Sequence, residues 1–208
     1  MARRTKAEAE ATRAALLDAA EEVFFDKGVA RTSLEQIARH AGLTRGAVYW
    51  HFRNKADLFR AMLDRVRMPF EELVEEAEDP AAASSPLQAI RLGCQQGFLR
   101  LEQPRHCRVH AILVHRCEFF SDIDPGAMQS EMADECLAAL ADYFDAAHAQ
   151  GLLRTDMAPE LATRLLQSVL SGLFHDWLRD TEAFQLSEHG MELVDAQLTL
   201  LSRQPPSG

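Results

Sequence analysis

Apolar positions recur at helical spacing along this chain, and about nine helices are expected from them. Residues 7–26 carry a stripe of Leu16, Ala19, Ala20, Val23 and Phe24, closed by Gly28. Two short helices fill 32–52, and a fourth is expected over about 55–76, with Leu58, Met62, Val66 and Phe70 down one side. A loop bounded by Pro80 and Pro86 precedes a fifth helix at 86–101, and Pro86 suits its first turn. A sixth spans 105–118 and a long seventh 127–150, stopped by Gly151. The eighth runs to about Asp180 and the ninth from about Ser187 to Ser202. No repeat of fixed period is seen. The fold class expected is all-α.

The densest signal lies between Thr32 and Lys55. Thr32 is a candidate N-cap, and Glu35 three positions on completes a capping box. Leu34, Ile37 and Ala38 form an apolar face. Gly42 supplies the left-handed conformation of a sharp turn. Thr44 caps a second short helix, 45–52. Its Val48 and Phe52 face back toward Leu34 and Ile37, while Arg45 and Tyr49 share a neighbouring face. This is the helix-turn-helix layout, whose second helix enters the DNA major groove. Arg45 suits a guanine edge, and Gly46 lets the backbone approach the duplex. Thr44, Tyr49, His51 and Lys55 suit phosphates, which set register rather than sequence choice.

Charge supports that reading once it is divided. The 208 residues carry 22 Lys+Arg against 32 Asp+Glu, a net charge of −10. Residues 1–55 hold ten of the basic and seven of the acidic residues, and all three lysines. A basic end facing nucleic acid and an acidic body follow from this asymmetry. The expected domains are 1–55, binding DNA, and 56–208, binding ligand and dimerising. The basic residues of the arm at 2–6 suit a phosphate strand or the minor groove. Apolar content is 47%, and no apolar run reaches the roughly 20 residues of a membrane span. The charged N-terminus lacks an apolar signal region, so a cytoplasmic protein without membrane partners is expected.

The run Thr44-Arg-Gly-Ala-Val-Tyr-Trp-His-Phe52 followed by Asn54-Lys55, with Gly28-Val-Ala-Arg-Thr-Ser-Leu-Glu-Gln-Ile-Ala38 before it, resembles the DNA-binding signature of the TetR family of transcriptional regulators. The match covers roughly residues 10–60. The opening MARRTKAEAEATR and the segment His115-Arg-Cys-Glu-Phe119 further resemble the AcrR-like branch, which includes repressors of multidrug efflux pump genes. The resemblance implies a homodimer on a palindromic, double-stranded operator, released by a small hydrophobic effector bound in the body. It implies no enzyme activity and no cofactor.

Residue patterns in the body are consistent with that picture. The eighth and ninth predicted helices are apolar on two sides, so each packs both on its own domain and on something else. A second copy is one answer, through Leu166, Leu170, Phe174, Trp177, Val194, Leu198 and Leu201; a large monomeric core is the other. Two recognition helices about 34–36 Å apart favour the dimer. A ligand site among the intervening helices draws on Val66, Phe70, Phe98, His110, Val114, Cys117, Tyr143 and Phe144, with Ser171 and His175 as further polar handles.

Cys94, Cys107, Cys117 and Cys136 form no CxxC pair. A redox- or metal-responsive regulator sensing through Cys107 and His110 is the alternative. Arg105 and Arg108 beside Cys107 favour a thiolate, and His106 and His110 share a helical face, although no full set of metal ligands is fixed. Catalytic motifs are absent: no P-loop, GxGxxG, nucleophile elbow or HExxH occurs.

Overall fold

In a computed structural model of the chain, which describes residues 6–76, 84–120 and 122–203, the regular structure is helical. Ten α-helices run in order among these residues: α1 (Lys6–Lys27), α2 (Leu34–His40), α3 (Arg45–His51), α4 (Lys55–Asp64), α5 (Phe70–Glu75), α6 (Pro86–Leu101), α7 (Pro104–Ala111), α8 (Pro125–Ala149), α9 (Pro159–Arg179) and α10 (Leu186–Leu201). A single π turn, Ile112–Arg116, continues α7. Among the described residues, no helix is long and apolar enough to cross a membrane. Most of the basic arm, most of the 78–86 loop and the tail at 204–208 lie outside the described residues.

The expected helix over 55–76 is two helices. α4 ends at Asp64, and Pro69 stands immediately before α5. Proline has no N–H to donate and disfavours the helical conformation in the residue before it, so the chain breaks at Met68-Pro69. A continuous helix from 55 to 76 is therefore not formed.

The chain divides into two compact units, Met1–Arg67 with Arg105–Gln129, and Met68–Pro104 with Ser130–Gly208. The first unit thus keeps α4 and most of α7, where the sequence reading drew its boundary at 55. Its core is the expected α1 stripe joined to α4: Leu16, Ala20 and Phe24 are buried with Leu58, Phe59 and Met62, and the Phe24 and Phe59 rings meet edge-on at 5.8 Å. Such a pair adds to the area it buries. Opposite charges tie three elements of this unit together. The Arg65 guanidinium donates to Asp18 and Glu21 of α1 at 2.7 and 3.0 Å, and Arg105 lies 2.8 and 3.3 Å from the same two carboxylates.

In the second unit α6 packs on α5 and α10, and α10 packs on α9. Gly93 permits the first of these approaches, because a Cβ there would come within 2.5 Å of the Phe70 ring. Arg91 of α6 holds Asp195 of α10 with two parallel bonds of 2.6 and 3.0 Å, the strong fork geometry of guanidinium and carboxylate.

The cap of α2 differs from the expected one. Ser33, not Thr32, accepts from the Gln36 N–H, and the Gln36 side chain accepts from the Ser33 N–H at 2.8 Å. Thr32 is buried and its hydroxyl donates to the Gly28 carbonyl at 2.9 Å. Ser33→Ala is expected to lower the unfolding free energy by about 1 kcal/mol. It should appear in urea titrations as a lower midpoint with unchanged slope; an unchanged midpoint would contradict the cap.

Candidate nucleic-acid interface

α2 and α3 are joined by the turn at Ala41-Gly42-Leu43, where Gly42 has φ of +67°, a conformation that costs a residue with a Cβ about 1–2 kcal/mol. The capping expected at Thr44 is present: its hydroxyl accepts from the Ala47 N–H at 3.2 Å. α3 then separates into two faces. Ala47 and Val48 are buried, as are Phe52 behind them and Leu34 and Ile37 of α2. Thr44, Arg45, Gly46, Tyr49 and Trp50 are exposed.

Four of the six expected DNA-binding residues, Thr44, Arg45, Gly46 and Tyr49, are thus exposed on α3 or at its cap. Arg45 is 75% exposed and its guanidinium lies over the Tyr49 ring, 5.4 Å from the centroid. A Cβ at Gly46 would meet only the Thr44 hydroxyl, at 3.9 Å, so the backbone there is open to close approach. His51 is half-buried, its ring edge-on to Trp50 at 4.5 Å and beside Phe52 at 6.2 Å.

Lys55 departs from the expectation. Its ammonium donates to the carbonyls of Val29, Ala30 and Thr32 at 2.7, 3.2 and 2.9 Å and sits 4.0 Å from the Phe120 ring centre. An ammonium has three donors, and here all three are directed into the protein. Burial lowers the pKa of the Lys55 ammonium from its ordinary value. Lys55 therefore anchors the loop that leads into α2 and is not presented to a phosphate.

Trp50 was missed in the sequence. It is 68% exposed, and its place one helical turn after Gly46 was the available signal. Arg13 of α1 is also exposed beside this region, its guanidinium 5.3 Å from the Phe52 ring centre.

The expected ligand residues divide between the units. Val66 and His110 are buried in the first, with Val114 and Cys117 half-buried. Phe70, Phe98 and Phe144 are buried in the second, where the Phe70 and half-buried Tyr143 rings meet at 5.6 Å. Ser171 and His175 differ: both are exposed on α9, with the His175 ring nitrogen 2.8 Å from the Ser171 carbonyl. They do not line the interior of their unit.

Five residues named for the dimer face, Leu166, Trp177, Val194, Leu198 and Leu201, are buried within the single chain. They are the inner face of α9 and α10, while Leu170 and Phe174 are half-buried. The apolar residues left open on the same helices are Leu161 and Leu165 on α9 and Leu193 and Leu200 on α10. On α9 they continue through Ser168, Gly172 and His175 at helical spacing.

The cysteine chemistry also differs from the sequence expectation. Burial pushes the Cys107 thiol up, outweighing the opposite pull of Arg108, so the thiolate is disfavoured. Burial likewise raises Cys117 and Cys136, each to about 11. His110 is held toward its neutral form by burial, and its Nδ1 faces the His106 carbonyl at 2.8 Å. No group of three or more metal-ligating side chains gathers among the described residues.

Comparison with known proteins covers both units. Residues 16–62 match the sequence profile described as bacterial regulatory proteins, tetR family, and residues 86–203 match that of the MAATS-type transcriptional repressor, C-terminal region. The HTH-type transcriptional repressor BepR of Brucella suis is 34% identical over 96% of this chain and 96% of its own length. The crystal structure of NalD, the secondary repressor of the MexAB-OprM multidrug efflux pump in Pseudomonas aeruginosa, superposes with a TM-score of 0.82 at 39% identity, covering 96% of this chain and all of that one. A complex of SmeT, from Stenotrophomonas maltophilia, with triclosan superposes with a TM-score of 0.80 at 32% identity over 95% of this chain and 96% of that one.

Proposed function

The chain belongs to the TetR family of bacterial transcriptional regulators, and from that membership we propose that it is a cytoplasmic, homodimeric repressor of a multidrug efflux operon, released from its operator by a small hydrophobic compound. The observation that carries the DNA-binding assignment is the division of α3. One face is sealed into the first unit by Ala47 and Val48, and the other presents Arg45, Gly46 and Tyr49 to solvent. Arg45 reads a guanine, Gly46 admits the duplex, and Thr44 and His51 meet phosphates.

The dimer forms through the open stripes of α9 and α10, with Leu161, Leu165, Leu193 and Leu200 at its centre. Leu170 and Phe174 flank this contact, and Ser168 and Gly172 allow the helices of two copies to approach. The effector is bound with the help of the apolar Phe70, Phe98, Tyr143 and Phe144 of the second unit. Triclosan, a phenolic aromatic bound by SmeT, is the chemical class to try first. Release requires that the ligand prefer the state that does not fit the operator; a coupling of about 1–3 kcal/mol shifts operator affinity roughly 5–150-fold.

Arg45→Ala tests the readout. It should lower discrimination between the operator and a duplex with its guanines replaced by about tenfold, measured by fluorescence anisotropy at fixed salt. Wild-type discrimination in that variant would remove Arg45 from the base contacts.

A further inference from the structure

We propose that Glu35, which lies on α2 and not on the helix assigned to the groove, is a specificity-determining positioning residue that holds the Arg45–Tyr49 pair for base readout and opposes sequence-independent binding. The proposal rests on the DNA-binding role given to α3 above.

Glu35 reaches across the turn to both side chains. Tyr49 donates its hydroxyl to Glu35 Oε1 at 2.8 Å, and Arg45 Nε lies 3.3 Å from the same oxygen. The Arg45 guanidinium sits over the Tyr49 ring. The three side chains form one cluster at the open end of the helix-turn-helix. Hydrogen bonding from Tyr49 is the main cause holding the Glu35 carboxyl below its ordinary value, so it is charged at neutral pH.

This cluster is poorly explained as a stabilising device. Glu35 and Arg45 side chains are 39% and 75% exposed, and ion pairs between exposed groups contribute little to folding. Its geometry suits recognition. With Nε facing the carboxylate, the outer edge of the guanidinium still carries a donor on each terminal nitrogen. Those nitrogens span O6 and N7 of a guanine in a bidentate contact. Tyr49 is fixed by the same oxygen and supports the guanidinium from below. The carboxylate also sets a negative charge against the phosphates, and so weakens the charge-driven binding that any duplex offers. Glu35 therefore acts through Arg45, and against the wrong DNA.

Glu35→Gln removes the charge and keeps an acceptor for Tyr49; Glu35→Ala removes both. The full-length protein and each variant are titrated against the operator and against a scrambled duplex of equal length at one salt concentration, with thermal unfolding as a control of fold. Both variants should bind the scrambled duplex about threefold more tightly. Glu35→Ala should also bind the operator more weakly, so that its specificity ratio falls about tenfold. In an Arg45→Ala background the loss of operator affinity caused by Glu35→Ala should disappear. A Glu35→Ala variant with the wild-type ratio overturns the proposal, as does an equal effect in the Arg45→Ala background. If wild-type protein itself shows no preference for the operator, the DNA-binding reading of α3 fails and the role of Glu35 fails with it.

Discussion

A chain carrying Leu165→Glu and Leu200→Glu is expected to run as a folded monomer and to lose operator affinity by at least about a hundredfold. Leu165 and Leu200 are 38% and 63% exposed in the single chain, so a glutamate at either position stays in water and the fold should survive. In a dimer built on the open stripes, each copy would bring two carboxylates into an apolar contact. An unpaired buried charge costs several kcal/mol, and every 1.4 kcal/mol is tenfold. A monomer has one recognition helix and loses the second half-site. Sedimentation and operator titration read the two effects separately. Leu166→Glu gives the contrast: Leu166 is 0% exposed, and that variant should fail to fold. A dimer that persists in the double variant would place the interface elsewhere.

Lys55→Met should destabilise the first unit by about 2 kcal/mol, because three carbonyls lose their shared donor, of which that of Val29 keeps the Thr32 N–H at 3.3 Å, and a buried acceptor without a partner costs roughly 1–3 kcal/mol. Two of those carbonyls belong to Val29 and Thr32, which are 0% and 3% exposed. Methionine keeps the length of the stem, so packing changes little. The readout separates this role from a phosphate contact. A structural Lys55 predicts a lower unfolding midpoint, with the salt dependence of operator binding unchanged at temperatures where the variant is folded. Unchanged stability with a salt slope reduced by about one would instead return Lys55 to the DNA backbone.

Lys55 also shows where sequence reading stops. As the first residue after the Asn54 cap it reads as an exposed cation next to the duplex, and nothing local says otherwise. Its three acceptors lie 23 to 26 positions earlier in the chain, and only the packing of α4 on α1 brings them under the ammonium. The cap of α2 is a closer failure. Thr32 and Ser33 each have a suitable partner three positions on, Glu35 and Gln36. Thr32 is taken by the Gly28 carbonyl, which leaves Ser33 to cap and Glu35 to face Arg45 and Tyr49.

Pro69 is legible in the sequence. The apolar spacing of Leu58, Met62, Val66 and Phe70 runs through it, but a proline without an N–H cannot continue the helix. The outward face of α9 and α10 is hard to read for a different reason. A helix apolar on both sides states that it packs twice but not which side turns inward; that choice depends on α6, which meets α10 from a distant part of the chain. Local chemistry carried more. The α1 stripe, the Gly42 turn, the Thr44 cap and the division of α3 into Val48 inside and Arg45 and Tyr49 outside follow from spacing alone, and each is present.

The central claim is ligand-controlled operator binding, and one titration tests it most directly. Purified protein is titrated against DNA from immediately upstream of its own gene, at varied salt, with triclosan and other hydrophobic antimicrobials added in turn. The account predicts tight, sequence-dependent binding that weakens as salt rises and is released by at least one of these compounds. Absence of any preference for that DNA over a scrambled duplex, even at low salt, would contradict it.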